Sequence, residues 1–388
     1  MLKENGYNGN EYVDYILEEN QINIDDMNNM INFINNHSNV YLYGKGMCGS
    51  GFKEYSTICG FNNVKGFITS DTVDEFLNQY EQGKDGIILT LKSDYYRDIL
   101  PLLWGVVNRE DILFLLEKTK DIFVRVFSKE YLATHMWLTL PMTKHCNINC
   151  ASCNMFAPIC KPECYTLEQV KKDLTIIKDI RIPLTKINIT GGEPFLNPEI
   201  ISVLKLIRET FPSTKIEFFT NAILADRLSD DELIELASCR AEFQITDYGI
   251  ERDKLESVYA KFDHYNIDYR INYNDENKVF FKKSINFDGD TPAYEYINCQ
   301  YYTFCMGPFL YNGKLYKCPL ALNADNINNF FDKKLEVTSL DFLDINSVDT
   351  PDKIYDFWKS RLPMCRYCPR LTESVKWTRS KRTIDEWI

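Results

Sequence analysis

Three cysteines stand close together in the stretch HCNINCASC: Cys146, Cys150 and Cys153. Thiolates are soft ligands that select zinc, copper(I) or iron–sulfur clusters. Structural zinc takes four closed ligands, usually as two separated pairs. Three thiolates on one short loop can instead wrap one face of an iron–sulfur cube, leaving one iron open to an exogenous ligand. Spacing alone leaves both readings standing: such a cube, or a zinc loop with a distant fourth ligand beside which His145 sits.

A second group lies toward the C-terminus: Cys299, Cys305, Cys318, Cys365 and Cys368. Cys365-Arg-Tyr-Cys368 is a CxxC pair. In CMGPFLYNGKLYKC, Asn312-Gly313 is a hairpin signal between apolar-rich segments, and a two-residue turn there brings Cys305 close to Cys318. The remaining thiols, at 48, 59, 160, 164 and 239, read as small buried hydrophobes. Cys160 and Cys164, in APICKPEC just past the three-cysteine loop, have a second reading as hydrogen-atom donors to a substrate radical.

A third pattern is Gly44-Lys-Gly46-Met-Cys-Gly49, directly after the apolar run NVYLYG. Asp71 follows the next apolar run. A glycine turn between strand and helix, with an acid placed for a ribose hydroxyl, is the dinucleotide-binding context. The segment is too short for two full mononucleotide halves, so NAD is not expected. A nucleotide or nucleotide-linked sugar, or a degenerate domain used only for docking, are the two readings.

These residues need a scaffold. The chain has 388 residues, 45% hydrophobic and 26% charged, with a formal net charge of −12. That length suffices for two or three domains. The acidic balance argues against a general nucleic-acid binder. The first twenty residues lack an apolar core, so no signal peptide is read there. No apolar run approaches a membrane span. The cytoplasm is the expected compartment, where thirteen cysteines point to metal or redox chemistry rather than a disulfide framework.

Residues 10 to 36 carry apolar positions at helical spacing (Val13, Ile16, Leu17, then Met27, Met30, Ile31, Ile34). NVYLYG, VKGFI and GIILTL read as short strands alternating with helices, a small parallel α/β unit. From Trp137 the alternation restarts: WLTLPM, KINIT, KIEFFTNA, AEFQITDYG and DYRINY as strands, with helices between. Thr166/Gln169 and Ser229/Glu232 stand at capping-box spacing. Five strands with intervening helices suit a full or partial (β/α) barrel, whose site lies at the strand C-termini. The cysteine loop and Gly191-Gly192-Glu193-Pro194 both fall there. The expected divisions are 1–130, a helical N-terminus with a small Rossmann-like unit; 131–285, the barrel; and 286–388, an irregular cysteine-bearing extension.

CxxxCxxC after the first barrel strand and GGEP after the second resemble the radical S-adenosylmethionine (radical SAM) superfamily, over about residues 137–285. The resemblance implies a partial (β/α)6 TIM-like barrel, with Cys146, Cys150 and Cys153 on a [4Fe–4S] cluster. The amino and carboxylate groups of S-adenosylmethionine would then fill the open iron. It further implies that Gly191, Gly192 and Glu193 bind its amino group, and that Thr220 and Asn221 lie near the ribose or carboxylate. The residue before the last cysteine, often aromatic in the family, is Ser152 here, whose backbone would serve the adenine. The C-terminal cysteines resemble the SPASM and shorter twitch extensions. With no cysteine after Cys368, one auxiliary [4Fe–4S] cluster is expected on Cys318, Cys365, Cys368 and either Cys299 or Cys305, against a zinc ribbon on the same thiols. The N-terminal unit resembles small Rossmann-type domains of nucleotide-sugar-modifying enzymes.

The implied activity is an oxidoreductase or epimerase. It cleaves S-adenosylmethionine to a 5′-deoxyadenosyl radical and takes hydrogen from a carbohydrate or nucleotide-sugar. The implied partners are a small-molecule substrate and an electron donor such as flavodoxin or ferredoxin. Two alternatives stand: a peptide- or protein-modifying radical enzyme, although no winged-helix leader-binding module is read at the N-terminus, and a non-catalytic zinc scaffold.

Overall fold

The computed structural model describes residues 26–272, 279–293, 307–368 and 372–388. Helix α1 spans 26–36 and buries Met27, Met30 and Ile34, as the helical spacing predicts. The apolar positions read at Val13, Ile16 and Leu17 lie outside the described residues.

The N-terminal unit is a parallel sheet in the order β2-β1-β3-β4. Its strands are β1 (Asn39–Tyr43), β2 (Val64–Ile68), β3 (Asp85–Leu89) and β4 (Ile112–Phe114). Helices α2 (Met47–Cys59), α3 (Val73–Gln79) and α4 (Tyr96–Trp104) connect them, and α5 (Glu117–Ile122) and α6 (Lys129–Leu132) follow. The strand order reverses between β1 and β3, which places a topological switch point at the C-terminal end of β1. β4 is a strand that the apolar pattern did not mark, because only three residues pair with β3.

The larger sheet has the order β13-β12-β11-β5-β6-β7-β8-β9. Strands β5 (Met136–Pro141), β6 (Leu184–Thr190), β7 (Lys215–Thr220), β8 (Glu242–Thr246) and β9 (Tyr269–Asn272) run parallel. Between them lie α7 (Leu167–Ile180), α8 (Ile200–Thr210), α9 (Asp230–Ser238) and α10 (Arg252–His264). This α/β arrangement is the expected partial TIM-like barrel. A sixth parallel strand, β11 (Phe309–Tyr311), joins the free edge of β5 through Phe309 opposite Thr139. It therefore does not continue the series beyond β9. Ser229 and Glu232 make the full capping box that starts α9, and the Thr166 hydroxyl accepts from the Gln169 amide at the start of α7.

Strand alternation sorts the barrel's two faces. Leu138, Leu140, Ile187, Ile189, Ile216, Phe218, Phe243 and Ile245 are buried in the cluster that includes Leu174, Leu204, Leu233 and Phe262 from the helices. The opposite face carries polar groups in register, Asn188 opposite Glu217 and Glu217 opposite Glu242, with Phe219 beside Gln244.

β11 and β12 (Lys314–Tyr316) form a hairpin around Asn312 and Gly313, with φ of 47° and 76°. Two successive left-handed residues are the type I′ pattern read from Asn-Gly. The buried Asp173 carboxylate latches this turn to α7, accepting from the Gly313 amide at 2.7 Å, Gln169 Nε2 at 2.7 Å and the Tyr165 hydroxyl. Beyond the hairpin come α11 (Pro319–Phe331), β13 (Phe342–Asp344) and α12 (Pro351–Lys359). A separate two-stranded ribbon pairs β10 (Val279–Lys283) with β14 (Thr372–Lys376).

One continuous apolar core runs from Val40 and Phe52 through Phe123 and Phe127 to the barrel and to Tyr355 and Trp358 of α12. The approach of α2 to the segment after α5 is close enough that a Cβ on Gly51 would lie 2.0 Å from the Phe123 carbonyl oxygen. A second core gathers Phe156, Ile159, Leu320, Met364, Tyr367 and Trp387 beneath the cysteine loop.

Candidate active site

The cysteine loop leaves the end of β5 and is fastened to the next strand end by backbone. Gly192 N–H donates to the Thr143 carbonyl at 2.7 Å, and Glu193 N–H to the His145 carbonyl at 2.9 Å. A Cβ on Gly192 would sit 1.9 Å from the His145 oxygen; one on Gly191, where φ is 135°, would sit 2.3 Å from the Thr143 oxygen. The close approach these glycines permit is therefore, in this structure, the approach of GGEP to the cysteine loop itself. Both motifs form one unit.

Glu193 is fully buried and accepts from Thr220 Oγ1 at 2.6 Å, Asn221 N–H at 2.9 Å and Phe195 N–H at 3.1 Å. Burial pushes its carboxyl up to about 7, against these three donors. Thr220 and Asn221, at the end of β7, thus meet GGEP across the mouth of the barrel. The Asn221 amide also reaches Asn147 Oδ1 at 2.8 Å and lies 3.9 Å from Cys146 Sγ. Ser152 is buried in left-handed backbone, φ 56°. His145 faces the Thr143 hydroxyl at 2.7 Å.

The three loop thiols face one another. Burial, then the Glu193 carboxylate and more weakly Cys153, pushes Cys146 up to about 12; burial and then Cys150 push Cys153 up to about 11. Buried thiols that raise one another's proton affinity need a cation to become thiolates together. Three soft thiols on one loop suit a cluster that takes one ligand per iron. The donor set fits the cube.

Tyr248, just beyond β8, donates its hydroxyl to Cys150. The C-terminal tail closes over the same loop. Trp377 Nε1 donates to Cys150 Sγ at 3.1 Å, Cys150 pairs with Arg379 in an isolated antiparallel bridge, and Trp387 Nε1 donates to the Cys153 carbonyl at 3.1 Å. The sequence reading missed all three aromatic residues.

The second thiol group assembles Cys318, the N-cap of α11, with Cys365 on the turn Pro363–Tyr367 and Cys368 at its C-cap. Burial pushes Cys365 up to about 12; the Lys317 ammonium opposes this, while Cys368 and Cys318 add to it. Lys317 is itself buried and donates to the Ser360 carbonyl. Cys299 and Cys305 lie outside the described residues. The observed hairpin register, Phe309 opposite Tyr316, sets Gly307 across from Cys318 if extended.

Cys160 and Cys164 are not brought together. Cys160 Sγ lies 3.5 Å from Asn323 Oδ1 of α11, and its thiol is pushed up to about 12 by burial. Cys164 pairs with Thr143 in an isolated bridge, its sulfur 4.0 Å from the Leu196 carbonyl.

In the N-terminal unit, the turn Gly44–Gly49 joins β1 to α2 at the switch point. Gly44 has φ 111°, and a Cβ on Gly49 would lie 2.0 Å from the Gly44 oxygen. Thr90, after β3, donates from Oγ1 to the Tyr43 and Gly44 carbonyls, both at 2.9 Å. Gly46 is exposed at the start of α2, and Asp71 is exposed in the turn after β2.

Residues 140–246 match the model of the radical SAM superfamily. They span the cysteine loop, GGEP and Thr220-Asn221. The chain carries a radical SAM domain. Domains of this superfamily bind a [4Fe–4S] cluster and S-adenosylmethionine, and the thiol set above fits that pairing. The chain is 29% identical over 100 residues to a GTP 3′,8-cyclase of Microcystis aeruginosa, covering 24% of this chain and 30% of that protein. It is 31% identical over 90 residues to a GTP 3′,8-cyclase of Trichodesmium erythraeum, covering 20% and 27%. It thus spans under a third of the length of these curated relatives. Among solved structures, BtrN in complex with AdoMet and 2-DOIA aligns over 60% of this chain and 92% of that one, with 14% identity and a TM-score of 0.42. No helix among the described residues is long and apolar enough to cross a membrane.

Proposed function

We propose that this radical SAM protein oxidises or epimerises a nucleotide-linked carbohydrate, using two iron–sulfur clusters. The observation that carries the reading is the polar face of the barrel sheet. Lys186 pairs with Glu217 at 3.0 Å and stacks 3.4 Å from the Trp137 ring centroid; Gln244 donates to Glu242 at 2.8 Å. Asn188 and Thr139 lie on the same face, buried. Trp137, Lys186, Glu217 and Glu242 stand toward the strand N-termini, away from the cysteine loop, whereas Thr139 and Asn188 stand farther along their strands toward it. Polar groups on that face suit a hydroxylated ring better than an apolar side chain.

When bound, the main cluster supplies reductive cleavage of S-adenosylmethionine to methionine and a hydrogen-abstracting 5′-deoxyadenosyl group, and the auxiliary cluster supplies a one-electron acceptor. Cys146, Cys150 and Cys153 would hold the first. Cys318, Cys365 and Cys368, with Cys299 or Cys305, would hold the second, beside the Lys317 cation. Backbone carbonyls of the Gly191-Gly192 turn and the Glu193 carboxylate would take the ammonium of the cosubstrate. Asn221 and the backbone at Ser152 would flank its nucleoside. Gly44, Gly46, Gly49 and Asp71 would cradle the substrate's nucleotide part, since a helix start with open backbone N–H groups favours phosphate. Cys160 or Cys164 would return hydrogen in an epimerisation. A flavodoxin- or ferredoxin-type donor would supply electrons, and the cytoplasm is the proposed compartment.

The relatives named for GTP favour a second reading, a free nucleoside triphosphate as substrate. Reconstituted, reduced protein with S-adenosylmethionine should form 5′-deoxyadenosine at least tenfold faster when the right nucleoside diphosphate sugar is present. Deuterium from the sugar should appear in that product. Stimulation by GTP alone would move the substrate to the second reading, and stimulation by peptides alone would refute both.

A further inference from the structure

The C-terminal tail adds a feature that neither motif announces. After β14 the chain runs antiparallel along the cysteine loop: Ala151 N–H donates to the Thr378 carbonyl at 2.8 Å, and Ser380 N–H to the Asn149 carbonyl at 2.8 Å. These two bonds flank Cys150 and fix Trp377 beside its sulfur. The Trp377 ring packs on Tyr248, centroids 5.4 Å apart. Tyr248 donates to the same sulfur. Farther along, Trp387 is fully buried, between Phe156 at 6.0 Å and Phe331 at 5.7 Å, and its carbonyl accepts from Ile285 N–H. The tail is thus anchored at both ends, and its backbone holds the Trp377 Cα beside the loop.

We propose that the tail is a working part of the main cluster site: Trp377, seconded by Tyr248, sets the reduction potential of the cluster through Cys150. The inference rests on Cys150 being a ligand of that cluster. A hydrogen bond to a ligating thiolate withdraws electron density from the sulfur. It stabilises the reduced cluster, which carries one more negative charge, and so raises the potential. Burying the same sulfur under two aromatic rings has the opposite tendency, since exclusion of water disfavours added charge. Trp377 therefore shields Cys150 while supplying the donor that water would otherwise provide. Phenylalanine at 377 keeps the ring and removes the N–H.

The test is potentiometric titration of the holoenzyme followed by electron paramagnetic resonance, reading the signal that shifts on addition of S-adenosylmethionine. Trp377→Phe should move the midpoint of that signal to more negative potential, with Tyr248→Phe adding to the shift and the iron content unchanged. A midpoint identical to that of the parent protein would overturn the proposal. If Trp377→Phe loses iron, the unaltered protein labelled with 15N in its indole rings decides instead. Pulsed resonance should show a 15N coupling to the reduced cluster that is absent from Trp387-only labelled controls, and no coupling refutes the contact. Absence of any signal sensitive to S-adenosylmethionine would sink the radical SAM reading itself, a result distinct from an unshifted midpoint.

Discussion

At the scale of single residues, two kinds of signal separate clearly. Cys146, Cys150, Cys153 and the run Gly191 to Pro194 stand out in the sequence through spacing and family resemblance, and the structure fastens the two motifs to each other. Trp377, Tyr248 and Trp387 do not stand out. Their contacts with the loop join residues 227 and 234 positions apart for the two tryptophans, and no local pattern encodes a pairing across such a distance. Lys317 was also unread, since a lysine before a cysteine looks like any surface charge until its burial is seen. Replacing Gly192 by alanine forces a Cβ to 1.9 Å from the His145 oxygen. The expected loss lies at the upper end of the ~1–3 kcal/mol cost of overpacking. Denaturation should show it, together with loss of main-cluster iron; normal stability and iron would contradict the staple between the two motifs. Lys317→Met removes the cation beside Cys318, Cys365 and Cys368. The auxiliary cluster should then titrate at a more negative potential, and an unmoved midpoint would dissociate Lys317 from it.

At the scale of elements, periodicity served where one face of a strand or helix had to be apolar. The five strands β5 to β9 and their helices stand where alternation placed them, and the Asn312-Gly313 turn has the expected left-handed pair. Strands β4 and β13, three residues each, escaped notice because so short a run has no measurable period. The placement of β11 beside β5 was likewise invisible, being set by tertiary pairing through Thr139. The N-terminal sheet is held by a polar knot at Asp111, which accepts from His37 Nε2 at 3.1 Å, Gly83 N–H at 2.8 Å and the Tyr80 hydroxyl. Burial alone would raise this carboxyl, but the donors prevail and lower it below its ordinary value. A depressed carboxylate adds stability above its unfolded pKa and loses it as pH falls through the folded value. Asp111→Asn should therefore cost about 1–3 kcal/mol at neutral pH, with a smaller penalty in acid. Thermal melts across pH read both, and a penalty independent of pH would contradict the charged form.

At the scale of the whole molecule, the C-terminal segment does more than append a second thiol site. β11 to β13 extend the barrel sheet, α12 packs on the N-terminal unit through Lys129–Asp352 at 3.0 Å and Lys359–Glu54 at 3.4 Å, and the tail straps the main loop. The stretch from Cys368 to Trp377 links the two thiol groups along the chain. Cys365→Ala/Cys368→Ala should remove about four irons, the complement of one cube, while the main site keeps its own; unchanged iron would refute the auxiliary cluster. The most direct measurement of the central claim uses that double variant, in which one cluster remains. Reduced under anaerobic conditions, it should show a resonance signal that changes when S-adenosylmethionine is added, and that signal should vanish when Cys146, Cys150 and Cys153 are also replaced by alanine. A protein carrying zinc in place of iron, or a signal indifferent to S-adenosylmethionine, would contradict the account.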